Sequence, residues 1–424
     1  MYQIHNPPQI PQHDIDVLRR LAERQAQIAA LPCHSERADL WRQLNQLEPT
    51  RPLIWVNEIP WHEMNVNDEL TLQCTYPWAR SVETRLRQLI YQWEHLPGDM
   101  VVGSTIPCPL AVHSTGFGIT EDVDIVRTDE TSDIVSRHFN IQIREPEDIE
   151  KIKFPHVTHD AQATELAYQT MCSIFEDILL VEKVGFNGTW FAPWDELIRW
   201  WGVTEAMMDL VLRPQMVYDF VSHLVDAYLH ELDQWEALDL LSRNDDNTRI
   251  GSGGYGYTNE LPGKDHDPDH LRTRDLWGSA AAQIFSGVSP DMHWEFALKH
   301  ELRWLERWGL TYYGCCEPLD SKIDLLRRIP NLRKISMSPW VDVSRAAEQI
   351  GTDYVFSFKP SPAVLAEDTW RPEYARSLLS DALDRARGCR IEIIMKDVST
   401  VRYEPQRLWE WQQIALQLVQ DFAP

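Results

Sequence analysis

The chain runs Gly309-Leu310-Thr311-Tyr312-Tyr313-Gly314-Cys315-Cys316-Glu317-Pro318 through its most informative stretch, and a helix-like segment follows at 319–329. A short apolar run, a glycine and then a helix predict a β-strand, a loop and an α-helix in that order. In α/β barrels the loops after the strands vary freely while the strands hold them rigid, so such loops carry the chemistry. The stretch therefore predicts a βα unit with two thiols and a carboxylate at its junction.

Strand-like and helix-like segments alternate around this stretch. Besides the run near 310, strand-like runs lie at 53–56, 179–184, 240–243, 332–337, 354–358 and 391–395. Helix-like segments lie at 194–212, 214–238, 343–350, 372–387 and 407–422. Residues 101–103 or 117–119 could supply an eighth strand. This alternation is typical of an α/β fold with a parallel sheet, and eight units favour a closed (β/α)8 TIM barrel.

Two regions depart from the alternation. Residues 1–50 hold two segments of helical periodicity, 15–31 and 36–47, and we interpret them as an N-terminal helical extension. Pro, Gly, Asp and Glu are frequent between residues 60 and 175, and this composition predicts an irregular or β-rich insertion near the barrel mouth. Residues 51–424 are otherwise expected to form a single barrel domain.

Composition and charge restrict the partners. The sequence has 40 Lys and Arg against 65 Asp and Glu, a formal net charge of −25, which disfavours nucleic acid and anionic lipid. A small-molecule substrate is the expected partner. No apolar run of about 18 residues and no signal-like N-terminus is present, so we expect no membrane span and a cytoplasmic location. Seven scattered cysteines predict free thiols rather than a disulfide framework.

Polar residues follow or lie within most of the predicted strands, and a barrel would bring them to one rim. Candidates for catalysis are Glu182, Glu317 and Asp397; candidates for substrate binding are Glu58, Asn244, Lys359 and Lys396, with Trp61 and Trp190 as an apolar wall. Each has a structural alternative. Asn and Asp after a strand often cap a helix, Lys396 and Asp397 could form an internal ion pair, and Lys359 could belong to a turn.

Cys315 and Cys316 are the candidate metal ligands. Zinc favours thiolate and imidazole, with carboxylate as an occasional third ligand, and a catalytic zinc keeps one position open. Candidates for the third ligand are Glu317, His113 and Glu182. The alternative is that the cysteines are small core residues, as unpaired cysteines often are. The loop His266-Asp-Pro-Asp-His270 also carries metal-ligand types, but its polar setting favours a solvated loop.

One further stretch brings a family resemblance. Gln283-Ile-Phe-Ser-Gly-Val-Ser-Pro-Asp-Met-His-Trp-Glu-Phe296, followed by a helix and then the stretch from Gly309 to Glu317, resembles the uroporphyrinogen decarboxylase superfamily. In that superfamily a helix that begins with Ser-Pro and carries a Glu-Phe-like pair leads to a strand ending in a His-x-Cys-Gly-like motif. The resemblance covers roughly residues 180–424. It implies a barrel that acts as a porphyrinogen decarboxylase or as a zinc-dependent methyltransferase working on corrinoids, thiols or folates.

The chain also departs from that pattern. Tyr313 stands where the methyltransferases have their zinc histidine, and Ser357-Phe-Lys359 stands in the region of the later cysteine ligand. The Arg-rich motif of the decarboxylases is replaced by Asn57-Glu-Ile-Pro-Trp61, which leaves no cationic clamp for a tetrapyrrole bearing several carboxylates.

The leading hypothesis is therefore a methyltransferase that moves a methyl group between a small methylated donor and a corrinoid, thiol or folate acceptor. The resemblance further implies zinc at Cys315 or Cys316, a corrinoid carried by a separate protein, and a homodimer. Two alternatives remain open: a metal-free decarboxylase or lyase acting on a small carboxylate, and a barrel that binds a ligand without turning it over.

Overall fold

The structure is a computed structural model that describes residues 10–127, 135–188, 190–267 and 270–422. Part of the loop 266–270 lies outside the described residues. The strands are β1 (Leu53–Val56), β2 (Thr105–Pro109), β3 (Val112–Ser114), β4 (Val123–Val126), β5 (Ser136–Phe139), β6 (Val157–His159), β7 (Leu180–Val184), β8 (Trp277–Ala280), β9 (Leu310–Tyr313), β10 (Leu332–Met337), β11 (Val355–Phe358) and β12 (Arg390–Met395).

The helices alternate with the strands in the second half of the chain. They are α1 (Gln12–Ala29), α2 (Cys33–Asn45), α3 (Pro77–His95), α4 (Ala161–Phe175), α5 (Pro193–Trp201), α6 (Val203–Leu212), α7 (Pro214–Ala237), α8 (Pro290–His293), α9 (Lys299–Leu305), α10 (Ile323–Leu326), α11 (Val343–Ile350), α12 (Ala363–Ala366), α13 (Pro372–Arg385) and α14 (Gln406–Gln420). A π-helical turn, Trp294–Leu298, joins α8 to α9.

A parallel sheet of six strands in the order β1-β12-β11-β10-β9-β8 forms the core. The predicted α/β fold with a parallel sheet is confirmed. The closed ring of eight strands is not seen: among the described residues, backbone pairing does not continue from β8 round to β1. A second parallel pair, β2 and β7, extends only by a single bridge between Phe186 and Leu241.

Backbone pairing is missing in two places, between β1 and β2 and between the bridge at Leu241 and β8. A side-chain amide spans the second of these gaps. Asn244 Nδ2 donates to Trp277 O at 2.9 Å, and Asn244 Oδ1 accepts from Trp277 N at 3.0 Å. The amide therefore makes the two hydrogen bonds that a peptide group of a neighbouring strand would make to β8. This replacement explains why the predicted strand 240–243 contributes one bridge rather than a ladder.

Several predicted elements need correction. Neither 101–103 nor 117–119, the two candidates for an eighth strand, is a strand. The strand that pairs with β7 is β2. The sequence analysis missed β8, whose Trp-Gly-Ser-Ala sequence has low β-propensity. The segment 194–212 divides into α5 and α6 at Gly202. Residues 60–175 contain the five short strands β2–β6, and they also contain two helices, α3 and α4, that the sequence analysis missed.

The two faces of the sheet have different characters because side chains alternate along a strand. Tyr313, Ile335, Phe356 and Ile393 join the large apolar core that the helices cover. The opposite face carries polar side chains, which are Tyr312, Lys334, Ser336, Ser357 and Glu392. The N-terminal helices close part of the structure: Trp41 of α2 is fully buried and donates to Asp99 O at 2.8 Å.

No helix among the described residues has both the length and the apolar character needed to cross a membrane. The boundary at residue 50 between an extension and a barrel domain stays a prediction.

Candidate active site

Five of the predicted site residues meet at the carboxyl ends of β1, β9 and β12. Lys396 Nζ lies 2.6 Å from Asp397 Oδ2, 3.5 Å from Glu58 Oε2 and 3.7 Å from Cys315 Sγ. Cys315 Sγ lies 3.5 Å from Cys316 Sγ, which in turn lies 3.9 Å from Asp397 Oδ2. We call Glu58, Cys315, Cys316, Lys396 and Asp397 the thiol cluster.

The backbone at this edge is held in an unusual conformation. Glu58 and Asp397 both have φ of +55°, and Asp397 N donates to Glu58 Oε2 at 3.1 Å. Left-handed conformations of residues other than glycine cost on the order of 1–3 kcal/mol and cluster at functional sites. Two such residues at the ends of adjacent strands are consistent with a site built for chemistry.

Charges in the thiol cluster favour a thiolate at Cys315. The hydrogen bond with Cys316 lowers the pKa of the Cys315 thiol, burial opposes this, and the ammonium of Lys396 lowers it further. The pKa of Cys316 is raised by the same hydrogen bond with Cys315 and by burial. Of the two thiols, Cys315 is therefore the more readily ionised.

The carboxylates complete this charge arrangement. Burial would lower the pKa of Lys396, but Cys315, Glu58 and Asp397 together raise it, so its ammonium stays charged. Burial would raise the pKa of Glu58, but the hydrogen bond from Asp397 and the charges of Lys396 and Arg249 bring it to about 2. Arg249 contacts Glu58 Oε1 at 2.8 Å. Burial and Glu58 raise the pKa of Asp397 above its usual value, although Lys396 opposes them.

Glu317 lies beneath the loop that carries Cys315 and Cys316. Its Oε2 accepts from Cys315 N at 2.9 Å and its Oε1 accepts from Ala282 N at 3.2 Å, and the residue is completely buried. Gly314 enters the loop at φ +96°, and a Cβ there would lie 2.5 Å from Leu319 Cδ1, so a larger residue would displace the loop. In this geometry Glu317 ties the loop end of β9 to the loop after β8.

Lys359 belongs to a buried polar network on the face of the sheet that carries polar side chains, which we call the inner face. Its Nζ donates to Ser357 O at 2.9 Å, to Ser357 Oγ at 2.7 Å and to Tyr312 OH. Ser357 Oγ donates to Glu392 Oε1 at 2.6 Å, and Lys334 Nζ pairs with Glu392 Oε2 at 2.9 Å. We call Tyr312, Lys334, Ser357, Lys359 and Glu392 the inner network.

The glycine-rich loop after Arg249 packs onto this inner network. A Cβ on Gly253 would lie 2.5 Å from Glu392 Oε1 and 2.6 Å from Tyr312 Cε2, so only glycine allows this approach. Gly254 N donates to Glu392 Oε1 at 3.1 Å, and Ser252 Oγ lies 2.9 Å from Tyr312 OH. The loop therefore fills the inner face rather than forming an isolated turn.

A cavity of about 1060 Å³ meets the thiol cluster at Glu58, which lines it together with Asn57, whereas Cys315, Cys316, Lys396 and Asp397 are not among its lining residues. Residues of α3, β2, β7 and the turn after β1 line it, among them Trp61 and Glu182. Its lining joins β2 to the turn after β1, two elements between which no backbone pairing is seen among the described residues. Its volume is large enough for a cofactor-sized or substrate-sized molecule.

The other predicted residues lie elsewhere. Trp190 is 42% exposed and donates to Asp195 Oδ2 at 3.0 Å, and it does not line the cavity. Asn244 is buried with its amide committed to backbone groups, Asn187 O and Trp277. His113 is exposed on β3. Their roles in a site stay predictions.

The residues present do not fit a zinc centre. Among the described residues, no group of three or more His, Cys, Asp and Glu side chains is arranged to hold a metal ion. Tyr313, at the position of the expected histidine, points to the other face of the sheet, where its OH donates to Glu301 at 2.8 Å and contacts His293 at 2.8 Å. At Cys315 the nearby positive charge is that of Lys396.

The sequence analysis missed Arg249, Tyr312, Lys334 and Glu392. Lys334 and Glu392 gave a usable signal, because each is an ionisable residue inside a predicted strand; Glu392 gave the clearer one, since apolar residues stand on both sides of it. Such residues are rarely buried without a partner, so two of them in one sheet predict an ion pair. Arg249 lies in a loop and gave no comparable signal.

Comparison with known proteins supports the fold. No protein-family model matches the sequence, and no curated protein matches it. A solved structure described as a methyltransferase from Methanosarcina mazei matches with a TM-score of 0.50 and 12% sequence identity, over 91% of this chain and 98% of that chain. At this identity the likeness concerns the fold alone.

Proposed function

We propose that this protein is a methyltransferase whose reacting group is the Cys315 thiolate. The observation that carries the proposal is the contact of Cys315 Sγ with Lys396 Nζ at 3.7 Å, at the strand ends and beside a large cavity. A thiolate stabilised by an adjacent ammonium is an activated nucleophile at neutral pH. The similar fold of a solved methyltransferase supports the same reaction class.

The reaction follows from these groups. The Cys315 thiolate attacks the methyl carbon of a small methylated donor; the new C–S bond takes the sulfur electron pair, and the donor leaves with the pair of the broken bond. A corrinoid, thiol or folate acceptor then attacks the same carbon. The C–S electron pair returns to Cys315 as a thiolate, which Lys396 stabilises. Asp397 is the candidate for carrying protons to or from the leaving and attacking groups.

The surrounding parts of the proposal follow the same logic. The six-stranded sheet, the pair of β2 and β7 and the strand-like run at 240–243 would together surround one barrel, and the thiol cluster would lie at the carboxyl-terminal rim of its strands. A corrinoid, if it is the acceptor, would arrive on a separate protein. A homodimer is proposed from the family resemblance, and analytical ultracentrifugation of the full chain measures the number of copies.

A single-turnover assay tests the proposal. The full chain is incubated with methylcobalamin or with small methylated donors in the absence of acceptor, and the peptide carrying Cys315 is examined by mass spectrometry. We expect that peptide to gain the mass of one methyl group, and turnover with an added thiol to fall at least about 100-fold in Cys315→Ser. The variant Cys172→Ser, which removes a thiol on α4, is the matched control.

Other outcomes would overturn the proposal in distinct ways. Full activity of Cys315→Ser would remove the thiolate from the reaction. Release of carbon dioxide from a small carboxylate, without methyl transfer, would favour the metal-free lyase. Ligand binding without turnover across donors and acceptors would favour a binding protein.

A further inference from the structure

An arginine without a partner lines the large cavity. Helix α3 presents one face to it at helical spacing, through residues Trp78, Ser81, Val82, Arg85, Leu86, Gln88, Leu89 and Gln92. Arg85 is in the middle of this face. Among the described residues, no carboxylate lies within ion-pairing distance of its guanidinium and no acceptor takes a hydrogen bond from it.

The neighbouring arginines of α3 do have partners, so the lack of a partner at Arg85 is not a general feature of the helix. Arg87 Nε pairs with Glu83 Oε1 at 2.7 Å, and Arg80 donates to Cys74 O at 2.8 Å. In a chain with 65 acidic residues and a net charge of −25, carboxylates are abundant. An arginine that lines a cavity and has none of them as a partner leaves five N–H donors for a ligand.

Arg85 is exposed to solvent, but it lies in the wall of the cavity. The residue as a whole is exposed, yet the protein atoms around the guanidinium remove part of its surrounding water, and this burial lowers the pKa of Arg85. Such a combination is typical of a cation inside a concave site. An anion that binds there would make charge-assisted hydrogen bonds with a guanidinium that has no other partner among the described residues.

We propose that Arg85 binds the anionic group, a carboxylate or a phosphate, of a ligand whose apolar body lies in the cavity. The guanidinium fork matches both groups through two parallel hydrogen bonds. Trp61 and Trp78 supply flat apolar walls for the body of the ligand, and Gln88 lies one turn from Arg85 on the same wall. That this ligand is the methyl donor rests on the proposed function; that it carries an anionic group does not.

Three probes with one aromatic body test the inference. Binding of 2-naphthoate, 2-naphthyl phosphate and neutral 2-naphthamide to the full chain is measured by isothermal titration calorimetry. We expect at least one anionic probe to bind about tenfold more tightly than the amide, because a charge-assisted bidentate contact is lost in the amide. The arm with the higher affinity identifies carboxylate or phosphate as the preferred group.

Variants assign the effect to one side chain. Arg85→Gln should bring the anionic probes to within about threefold of the amide, whereas Arg85→Lys should keep part of the preference. Arg385→Gln removes the same charge from an exposed ion pair on α13 and should behave as wild type. Equal binding of the amide in wild type, no binding of any probe, or an unchanged preference in a folded Arg85→Gln would each overturn the inference.

The two proposals can fail separately. Cys315→Ser should bind all three probes as wild type does. If probe preference holds and no methyl transfer is found, the proposed reaction is wrong and the anion site stands. If methyl transfer occurs and the preference is absent, the anion site is wrong and the reaction stands.

Discussion

The inner network and the thiol cluster both pair a lysine with carboxylates, but they differ in how far those charges are exposed and balanced. In the inner network, Lys334 and Glu392 are both 0% exposed, and the oxygens of Glu392 also accept from Ser357 and Gly254. In the thiol cluster, Glu58 and Asp397 are 36% and 52% exposed, and two carboxylates and a thiol face one ammonium. The first arrangement is closed and serves the fold. The second keeps accessible groups beside a cavity, as chemistry requires.

Removal of one partner of the inner ion pair should give the largest effect. Lys334→Met leaves the Glu392 carboxylate buried without its cation, and we expect a loss of about 3–5 kcal/mol in the free energy of unfolding. Urea denaturation followed by circular dichroism measures it. Replacement of both partners in Lys334→Met/Glu392→Met should recover much of the loss, because no unpaired charge is then buried.

The matched change in the thiol cluster is Lys396→Met. Its carboxylate neighbours reach solvent and Glu58 keeps Arg249, so we expect a loss of less than about 1 kcal/mol. Equal losses in the two variants would contradict the distinction between a structural and a functional charge group.

Glu301 sharpens the comparison, because it is as buried as Glu392 but hydrogen-bonds to a phenol instead of an ammonium. Burial raises its pKa to about 8, although the hydrogen bond from Tyr313 opposes this. The folded state therefore holds a proton that the unfolded chain releases above pH 4.5, and stability should fall as pH rises from about 5 to about 8. Glu301→Gln should remove this decline and be more stable than wild type at pH 8, by up to about 4 kcal/mol.

Thermal or urea unfolding at several pH values measures this effect. Glu295→Gln, on the same helical segment but paired with Lys299 at the surface, is the control and should keep the wild-type dependence on pH. If Glu301→Gln also keeps it, the carboxyl of Glu301 is ionised in the folded state.

The sequence predicted the elements that have a strong local pattern. The strands at β1, β9, β10, β11 and β12 and the helices α7, α11, α13 and α14 have clear periodicity, and they lie within a few residues of the predicted bounds. Where local pattern and tertiary role disagree, prediction was wrong. β8 has small residues because Gly278 packs directly against Trp308, and that contact is invisible along the chain.

The site shows the same division. Strand ends predicted that Glu58, Cys315, Lys396 and Asp397 share one edge, because carboxyl ends of parallel strands meet there. The direction of each side chain could not be predicted from the strand ends alone. Glu317 turns beneath its loop to bind two backbone N–H groups, and Lys359 turns inward to Ser357, since each finds hydrogen-bond partners there. Arg249 and Arg85 reach the site or the cavity from elements that no strand-end argument includes.

The thiol cluster makes a prediction of its own that does not depend on turnover. If Lys396 stabilises the Cys315 thiolate, Lys396→Met should raise the pKa of Cys315 and slow its alkylation several-fold at neutral pH. The rate of iodoacetamide labelling of the Cys315 peptide, measured by mass spectrometry across pH, gives both quantities. Arg385→Gln should leave the profile unchanged, because its charge is exposed and belongs to another ion pair. An unaltered profile in Lys396→Met would mean that Cys316 alone activates its neighbour, and the contact between ammonium and sulfur would then be structural, like the ion pair of the inner network.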